Sequence, residues 1–327
     1  MRRLSSRLVL LALALAVAAF AAGCGGGGKK SKEGVSVTAG KNLTFAVITH
    51  GEGDTFWAVA KKGALAAGKD EGVTVKYSES QNDPQKQAQL ISAAVTQKVD
   101  GIATSAPDPD AIKDPLKRAE RAGIPVITLN SGEADSKALG AITHVGQDES
   151  IAGEAAGKRI AQSGAKKLLC VIHEQGNVGL EQRCTGAKKG FGGTVENVNV
   201  KGVADISTTL TELKSKLQSD KSIDYVLTLN PDIASAARDA INGSGSSAKL
   251  ATFDLSGNVI KAIQAGKIQF AIDQQQYLQG YLPVVFLTLY KINNNTVGGG
   301  FPVFTGPGFV DKSNASTVAK LTTEGTR

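Results

Sequence analysis

The chain predicts an α/β fold of two lobes, each a parallel sheet flanked by helices. Three observations carry this. Short β-rich runs alternate with stretches of helical spacing from residue 43 onward. Proline stands where helices should open, and glycine where they should close. The same strand–helix rhythm then runs a second time, over about 280 residues in all, which exceeds what one core usually holds.

In the first half the strand runs are "LTFAVITH", "VTVKYSES", "DGIATSA", "IPVITLN" and "GAITHVG", with helices expected over 56–71, 84–98 and 109–122. Pro84, after Asp83, and Pro109 each suit a first helical turn, while Gly72 and Gly123 suit helix ends. Strand, helix, strand at this interval means parallel neighbours with helices on both faces of the sheet. The second half repeats the pattern with "KKLLCVIHE", "VENVNVKGV", "IDYVLTLN", "KLATFDL" and "KIQFAIDQ". Its helices are expected near 148–162, 178–190, 207–219, 231–242 and 256–265. "YLQGYLPVVFLTLYKI" is long enough for a further amphipathic helix that tolerates Pro283 near its start. The Gly/Asn-rich "NNNTVGGGFPVFTGPGFVDKSN" after it is expected to cross between the lobes.

The first 23 residues stand apart from this rhythm. "MRRLSSR" carries three positive charges, and the apolar run "LVLLALALAVAAFAA" is 15 residues long. That is short for a bilayer-spanning helix, which needs about 20 residues, and the small residues at its end complete an export signal. Ala21-Ala22-Gly23-Cys24 resembles a bacterial lipoprotein lipobox, with Ala21 where that pattern usually has Leu. The resemblance implies lipid on Cys24 and an extracytoplasmic chain anchored to the cell membrane. "GGGGKKSKEG" then behaves as a flexible tether, so residues 24–40 are read as lipidated cysteine plus linker. With Cys24 lipidated, Cys170 and Cys184 remain in an oxidising compartment, where pairing is the default and two buried thiols the alternative. Such a bridge closes a loop of about 15 residues, worth roughly 3 kcal/mol in the chain-entropy model. No cysteine or histidine spacing suggests a metal. Net charge is +7, and loss of the first 23 residues removes three positives and no acids. Lysine and glutamate are interspersed, so there is no basic stripe for nucleic acid.

Ligands of open parallel sheets sit beyond the carboxyl ends of the strands. Those positions are unusually polar here. After the first strand come His50, Asp54, Phe56 and Trp57, the last two side by side in a chain that is only 5% aromatic. Asn130 and Ser131 follow "IPVITL", Asn230 and Asp232 follow "IDYVLTL", Asp254 follows "ATF", and Asp273 and Gln274 follow "FAI". Carboxylates and amides exchange hydrogen bonds with hydroxyls, and an aromatic face covers the C–H face of a sugar ring. The set suits a polyhydroxylated ring, with Phe56 and Trp57 as a stacking wall. Each residue has a plainer reading beside this one. Phe56 or Trp57 could be core, Arg183 could pair with Glu181, and Asp54, Asn230 and Asp254 could be helix caps.

Laid out in order, these residues resemble the type I (ribose/galactose-type) periplasmic binding proteins, the sugar receptors of ABC transporters, through nearly all of residues 43–312. The stretches that carry the likeness are "FAVITHGEGDTFWAVAKKGA", "SQNDPQKQAQLISAAVTQKVDGIATSAPD", "AGIPVITLN", "EQRCTGAKKGF", "TFD" and "FAIDQQQYLQGY". The resemblance implies two Rossmann-like lobes joined by three hinge crossings, near Gly146-Gln147, Gln274-Gln275 and Thr305–Gly308. The N-terminal lobe is then 41–146 plus 275–306, and the C-terminal lobe 147–274 plus 307–327. Carried over, the ligand contacts are His50, Asp54, Phe56, Trp57, Asn130, Ser131, Arg183, Asn230, Asp254 and Gln274. Arg183 opens the R-x-x-G pattern "RCTG", where its guanidinium fork would bind ring or hydroxyl oxygens. Ribose-type members usually have Asp-Arg where Asn130-Ser131 stands and Asn where Asp54 stands, so ribose itself is not assumed.

The implied role is capture of a monosaccharide-like ligand and its delivery to a membrane permease, by a monomer without cofactor. Other readings remain open at this point. The same binding chemistry would serve a receptor for a membrane sensor kinase or chemoreceptor, or the binder of a polyol, nucleoside or furanose signal. An enzyme is disfavoured, because Trp57 occupies the place of a third glycine after Gly51-x-Gly53 and Glu52 and Asp54 would repel phosphate. A DNA-binding regulator of similar fold would carry a helix-turn-helix where this chain has its export segment and tether.

Overall fold

The computed structural model describes residues 42–51 and 53–327. The expected export segment 1–23, Cys24 and the tether to residue 40 lie outside the described residues. The first lobe runs β1 (Thr44–Thr49), α1 (Thr55–Glu71), β2 (Thr74–Glu79), α2 (Pro84–Thr96), β3 (Gly101–Ser105), α3 (Pro109–Arg121), β4 (Val126–Asn130) and β5 (Ala141–Gly146). The second runs α4 (Glu149–Ala161), β6 (Lys167–Ile172), α5 (Val178–Phe191), β7 (Thr194–Asn199), α6 (Ile206–Ser219), β8 (Tyr225–Thr228), α7 (Pro231–Ser244), β9 (Lys249–Phe253), α8 (Gly257–Gln264) and β10 (Phe270–Asp273). A tail follows: α9 (Gln276–Asn293), β11 (Val303–Phe304), β12 (Gly308–Asp311) and α10 (Ala315–Glu324).

The strands form two six-stranded sheets, ordered β11-β5-β4-β3-β1-β2 and β12-β10-β9-β8-β6-β7. Numbered within each lobe the two orders are identical, so both sheets reverse direction at the same place, between β1 and β3 in one and between β6 and β8 in the other. All pairings are parallel except β12, which runs antiparallel to β10. The tail therefore completes both sheets: α9 packs Val284 and Leu287 into the first core, while β12 and α10 place Val310, Ala315 and Val318 in the second. The sequence offered no strand for β11 or β12. Each is held by pairing with a distant strand rather than by its own Gly-rich composition.

Local chemistry explains where the helices begin. Asp54, Asp83, Asp108, Asp148 and Asn230 each accept backbone N–H bonds from the first turn of the helix that follows. Pro84, Pro109 and Pro231 fill first-turn positions whose N–H would be unpaired in any case. Gly72 and Gly245 close α1 and α7 in the left-handed conformation. Each sheet is covered on both faces by separate apolar clusters. Two helix pairs pack with unusual closeness. A Cβ at Gly63 or Gly280 would strike backbone of the partner across α1 and α9. The same holds for Gly153, Gly157, Gly186 and Gly190 across α4 and α5.

Candidate functional site

The two switch points face one another. A cavity of about 300 Å³, open mouth included, lies between them. From the first lobe, the β1–α1 loop and the start of α1 supply His50, Asp54, Phe56 and Trp57, and the end of β4 supplies Asn130 and Ser131. From the second lobe come Arg183 on α5, Asn230 after β8, Asp254 after β9 and Gln274 after β10. All ten residues singled out in the sequence thus line one cavity. Five more join them: His173, Glu174 and Asn177 from the loop after β6, with Leu180 and Leu229.

Asn130 and Asp254 occupy equivalent strand ends in the two lobes, and both have positive φ, 62° and 68°. Side chains larger or branched at Cβ resist that conformation, whereas Asn and Asp tolerate it. The kink turns each side chain into the cleft instead of along its sheet.

Hydrogen bonds cross the cavity from lobe to lobe. Asn230 Nδ2 donates to Asp54 Oδ2 at 3.0 Å, and Ser131 Oγ donates to Asn177 Oδ1 at 3.1 Å. His50 Nε2 lies 3.3 Å from both Glu174 Oε2 and Asn177 Nδ2, while its Nδ1 is 2.8 Å from Ser105 Oγ. Asp54 serves two purposes: Oδ1 caps α1 by accepting from Trp57 N at 2.8 Å, and Oδ2 faces the other lobe. Capping α1 and lining the cavity are thus compatible for this residue. The same is true of Asn230, whose Oδ1 accepts from Asp232 N while its amide reaches across.

Arg183 corrects an expectation. The edge of its guanidinium that would make a forked bond to ligand oxygens grips Glu149 instead, with Nε–Oε2 2.6 Å and Nη2–Oε1 2.8 Å. Nη1 donates to Leu229 O at 3.2 Å, and the guanidinium lies 4.5 Å from the Phe253 ring centroid. The partner is Glu149 of α4 rather than Glu181, and the pair is buried. Only the remaining N–H bonds can turn to the cavity.

Phe56 and Trp57 line the cavity and also belong to the first lobe's core, at 4% and 3% exposure. The indole meets Phe56 and His50 edge to face, each with centroids 4.8 Å apart. Gly51 sits against the indole so closely that a Cβ there would fall on the ring. Core packing therefore fixes the orientation of both rings.

Burial sets the charge states. The Asp54 carboxyl is pushed up to about 7 by desolvation, with the Trp57 N–H bond opposing and Glu174, Asp232 and Asp254 adding to the rise. Desolvation likewise lifts Asp254 to about 7, against the nearby Arg183 charge and the Gln274 hydrogen bond. Burial alone would raise Glu174 too, but His50, His173 and the Asn177 amide hold it far below the usual carboxylate range. Burial pushes His173 down to about 4, and its Nδ1 has no partner among the described residues. The lining is rich in acceptors, and its donors are mostly amides.

A model of the periplasmic binding protein domain matches residues 45–292. The chain belongs to this family. As a periplasmic binding protein it is an extracytoplasmic solute-binding protein and not an enzyme. It is 26% identical over 255 residues to the ribose import binding protein of Haemophilus influenzae, covering 77% of this chain and 86% of that one. It is 29% identical over 259 residues to the fructose import binding protein of Bifidobacterium longum, covering 74% and 77%. A crystal structure of a carbohydrate transporter from Acidothermus cellulolyticus in complex with myo-inositol superposes with a TM-score of 0.86 at 48% identity, covering 88% of this periplasmic binding protein and all of that chain.

Proposed function

We propose that this protein captures a neutral polyhydroxylated six-membered ring, a cyclitol such as myo-inositol or a closely related monosaccharide, for import through an ABC transporter permease. The carrying observation is the acceptor-rich lining. Asp54, Glu174 and Asp254 all face the cavity, while the forked edge of Arg183 is held by Glu149. A sugar's ring oxygen needs a donor. A cyclitol has none to satisfy, and each of its substituents can donate a hydrogen bond. The myo-inositol complex of the 48% identical structure supports the same reading. Replacement of the ribose-type Asp-Arg by Asn130-Ser131 argues against ribose.

On this reading the lobes (41–146 with 275–306, and 147–274 with 307–327) move as rigid bodies about the crossings near Gly146-Gln147, Gln274-Gln275 and Thr305–Gly308. The sheet membership of β5, β10, β11 and β12 supports those limits. Ligand favours the closed arrangement because only there do both lobes contact it. Lipid on Cys24 tethers a monomer to the cell membrane.

The test uses residues 29–327, stripped of co-purified ligand by unfolding and refolding. Calorimetric titration with myo-inositol, its epimers, ribose, fructose and glucose should give a micromolar Kd for a cyclitol and far weaker binding of ribose. Binding confined to an aldose would remove the cyclitol assignment. Absence of binding and of thermal stabilisation across the panel would overturn the ligand class.

A further inference from the structure

Thr55 and Asp232 lie outside the cavity lining, yet they make a three-contact polar bridge between the lobes. Thr55 opens α1 in the first lobe, and Asp232 sits in the first turn of α7 in the second. The Asp232 carboxylate accepts from Thr55 N at 3.1 Å and lies 2.9 and 3.0 Å from Thr55 Oγ1. The backbone N–H groups of a helix's first turn have no partner within the helix. Asp54 of the same chain segment caps Trp57 N, so α1 receives one cap from its own lobe and another from the opposite lobe. The cap on α7 has the mirrored form, with Asn230 holding Asp232 N while reaching Asp54.

We propose that Thr55 and Asp232 form a ligand-independent latch that sets how much of the empty protein is closed, and thereby the affinity for every ligand alike. The proposal rests on the hinge-closure reading above. When the lobes part, Thr55 N–H and the Asp232 carboxylate return to water. The bond between them therefore contributes to the closed state only. Affinity for a ligand that binds the closed form is reduced by the fraction of protein not closed. A latch raises the closed fraction without touching the ligand. It tunes affinity and residence time and leaves selectivity unchanged, in contrast to any residue that lines the cavity.

The test compares wild type, Thr55→Val, Thr55→Ser and Asp232→Asn, all as residues 29–327. Thr55→Val keeps shape and removes the hydroxyl donor without altering α7. Thr55→Ser restores the donor. Small-angle scattering of the ligand-free proteins reads closure directly and needs no ligand to be known. Thr55→Val and Asp232→Asn are expected to be more open than wild type, with Thr55→Ser matching it. With myo-inositol and two of its epimers as probes, Thr55→Val should weaken each by about five- to tenfold and speed dissociation. The ratios between probes should stay within about twofold. Superimposable ligand-free scattering for wild type and Thr55→Val would overturn the latch. So would a changed ratio between probes, which would make Thr55 a ligand contact. If none of the probes binds wild type, the cyclitol reading fails while the scattering result still decides the latch.

Discussion

Asp254 is held at φ 68° at the end of β9, fully buried, with Gln274 Nε2 donating to it at 2.8 Å. A carboxyl raised from 3.8 to about 7 binds its proton more tightly in the folded state than in the unfolded one. The resulting penalty is absent below about pH 4, grows as pH rises and is complete above about pH 7. Asparagine accepts the same backbone conformation and the same amide hydrogen bond. Asp254→Asn should therefore be more stable than wild type by roughly 2–4 kcal/mol at pH 8, with the gap closing towards pH 4 in urea unfolding. The same variant should bind ligand at least tenfold more weakly in calorimetry, having lost an ionisable acceptor. On the proposed function, stability is given up here for binding, as is common at such sites. This residue was readable in the sequence because an acid at a strand end has one obvious direction to face. The missed His173, Glu174 and Asn177 obey the same strand-end rule, after β6 in "HEQGN". Their loop carries no motif of its own: "HEQGN" matches no phosphate-binding or metal-binding pattern, so only its place after β6 marks it. Arg183 itself was found, but no local pattern could show that Glu149, 34 residues away, grips its forked edge.

α4 and α5 carry that ion pair, and their close packing holds it in place. Gly186 faces Ser150 O, Gly190 faces Glu154 O, Gly153 faces Arg183 O and Gly157 faces Ala187 O, each too near for a Cβ. A methyl at Gly186 must push the helices apart, and overpacking of this kind costs about 1–3 kcal/mol. Gly186→Ala should lower the melting temperature by about 5 °C. It should also weaken ligand binding, because displacing Glu149 from Arg183 leaves a buried charge poorly paired. An unchanged melt would show that the helices have slack. At this scale the strands and helices of both lobes were legible as far as α9, since their hydrophobic period and Asx-Pro starts are local. β11, β12 and α10 were not, because "TVGGGFPVFTGPGFV" becomes strand only where β5 and β10 offer edges to pair with. The helix contacts were equally hidden. Glycine within a helix reads as a weakness until its neighbour is known.

Three chain passages join the lobes, and Thr305 touches all of them. Its N–H donates to Gly146 O at 2.6 Å, its hydroxyl to Gln274 O at 2.6 Å, and it accepts from Gln279 Nε2 at 3.2 Å. Thr305→Val keeps the shape but removes the buried hydroxyl's bonds to Gly146 O, Gln274 O and Gln279 Nε2. It should lower the unfolding free energy by about 1–3 kcal/mol with an unchanged urea m-value. A larger m-value would instead mean that the denatured ensemble had changed. The molecule as a whole reads as one lobe plan used twice, with the site built where the two copies confront their equivalent strand ends. One covalent feature breaks that symmetry. Cys170 of β6 and Cys184 of α5 are joined by a disulfide, and the lobe opposite has no counterpart among the described residues. The bond straps α5 to its sheet one residue from Arg183. Without it the 14-residue span between the cysteines is held by packing alone, at a loss of roughly 3 kcal/mol. Reducing compartments keep such thiols apart, and oxidising ones join them. The half of the site that depends on Arg183 is thus fully secured only after the chain has left the cytoplasm, which ties the competence of the protein to its address.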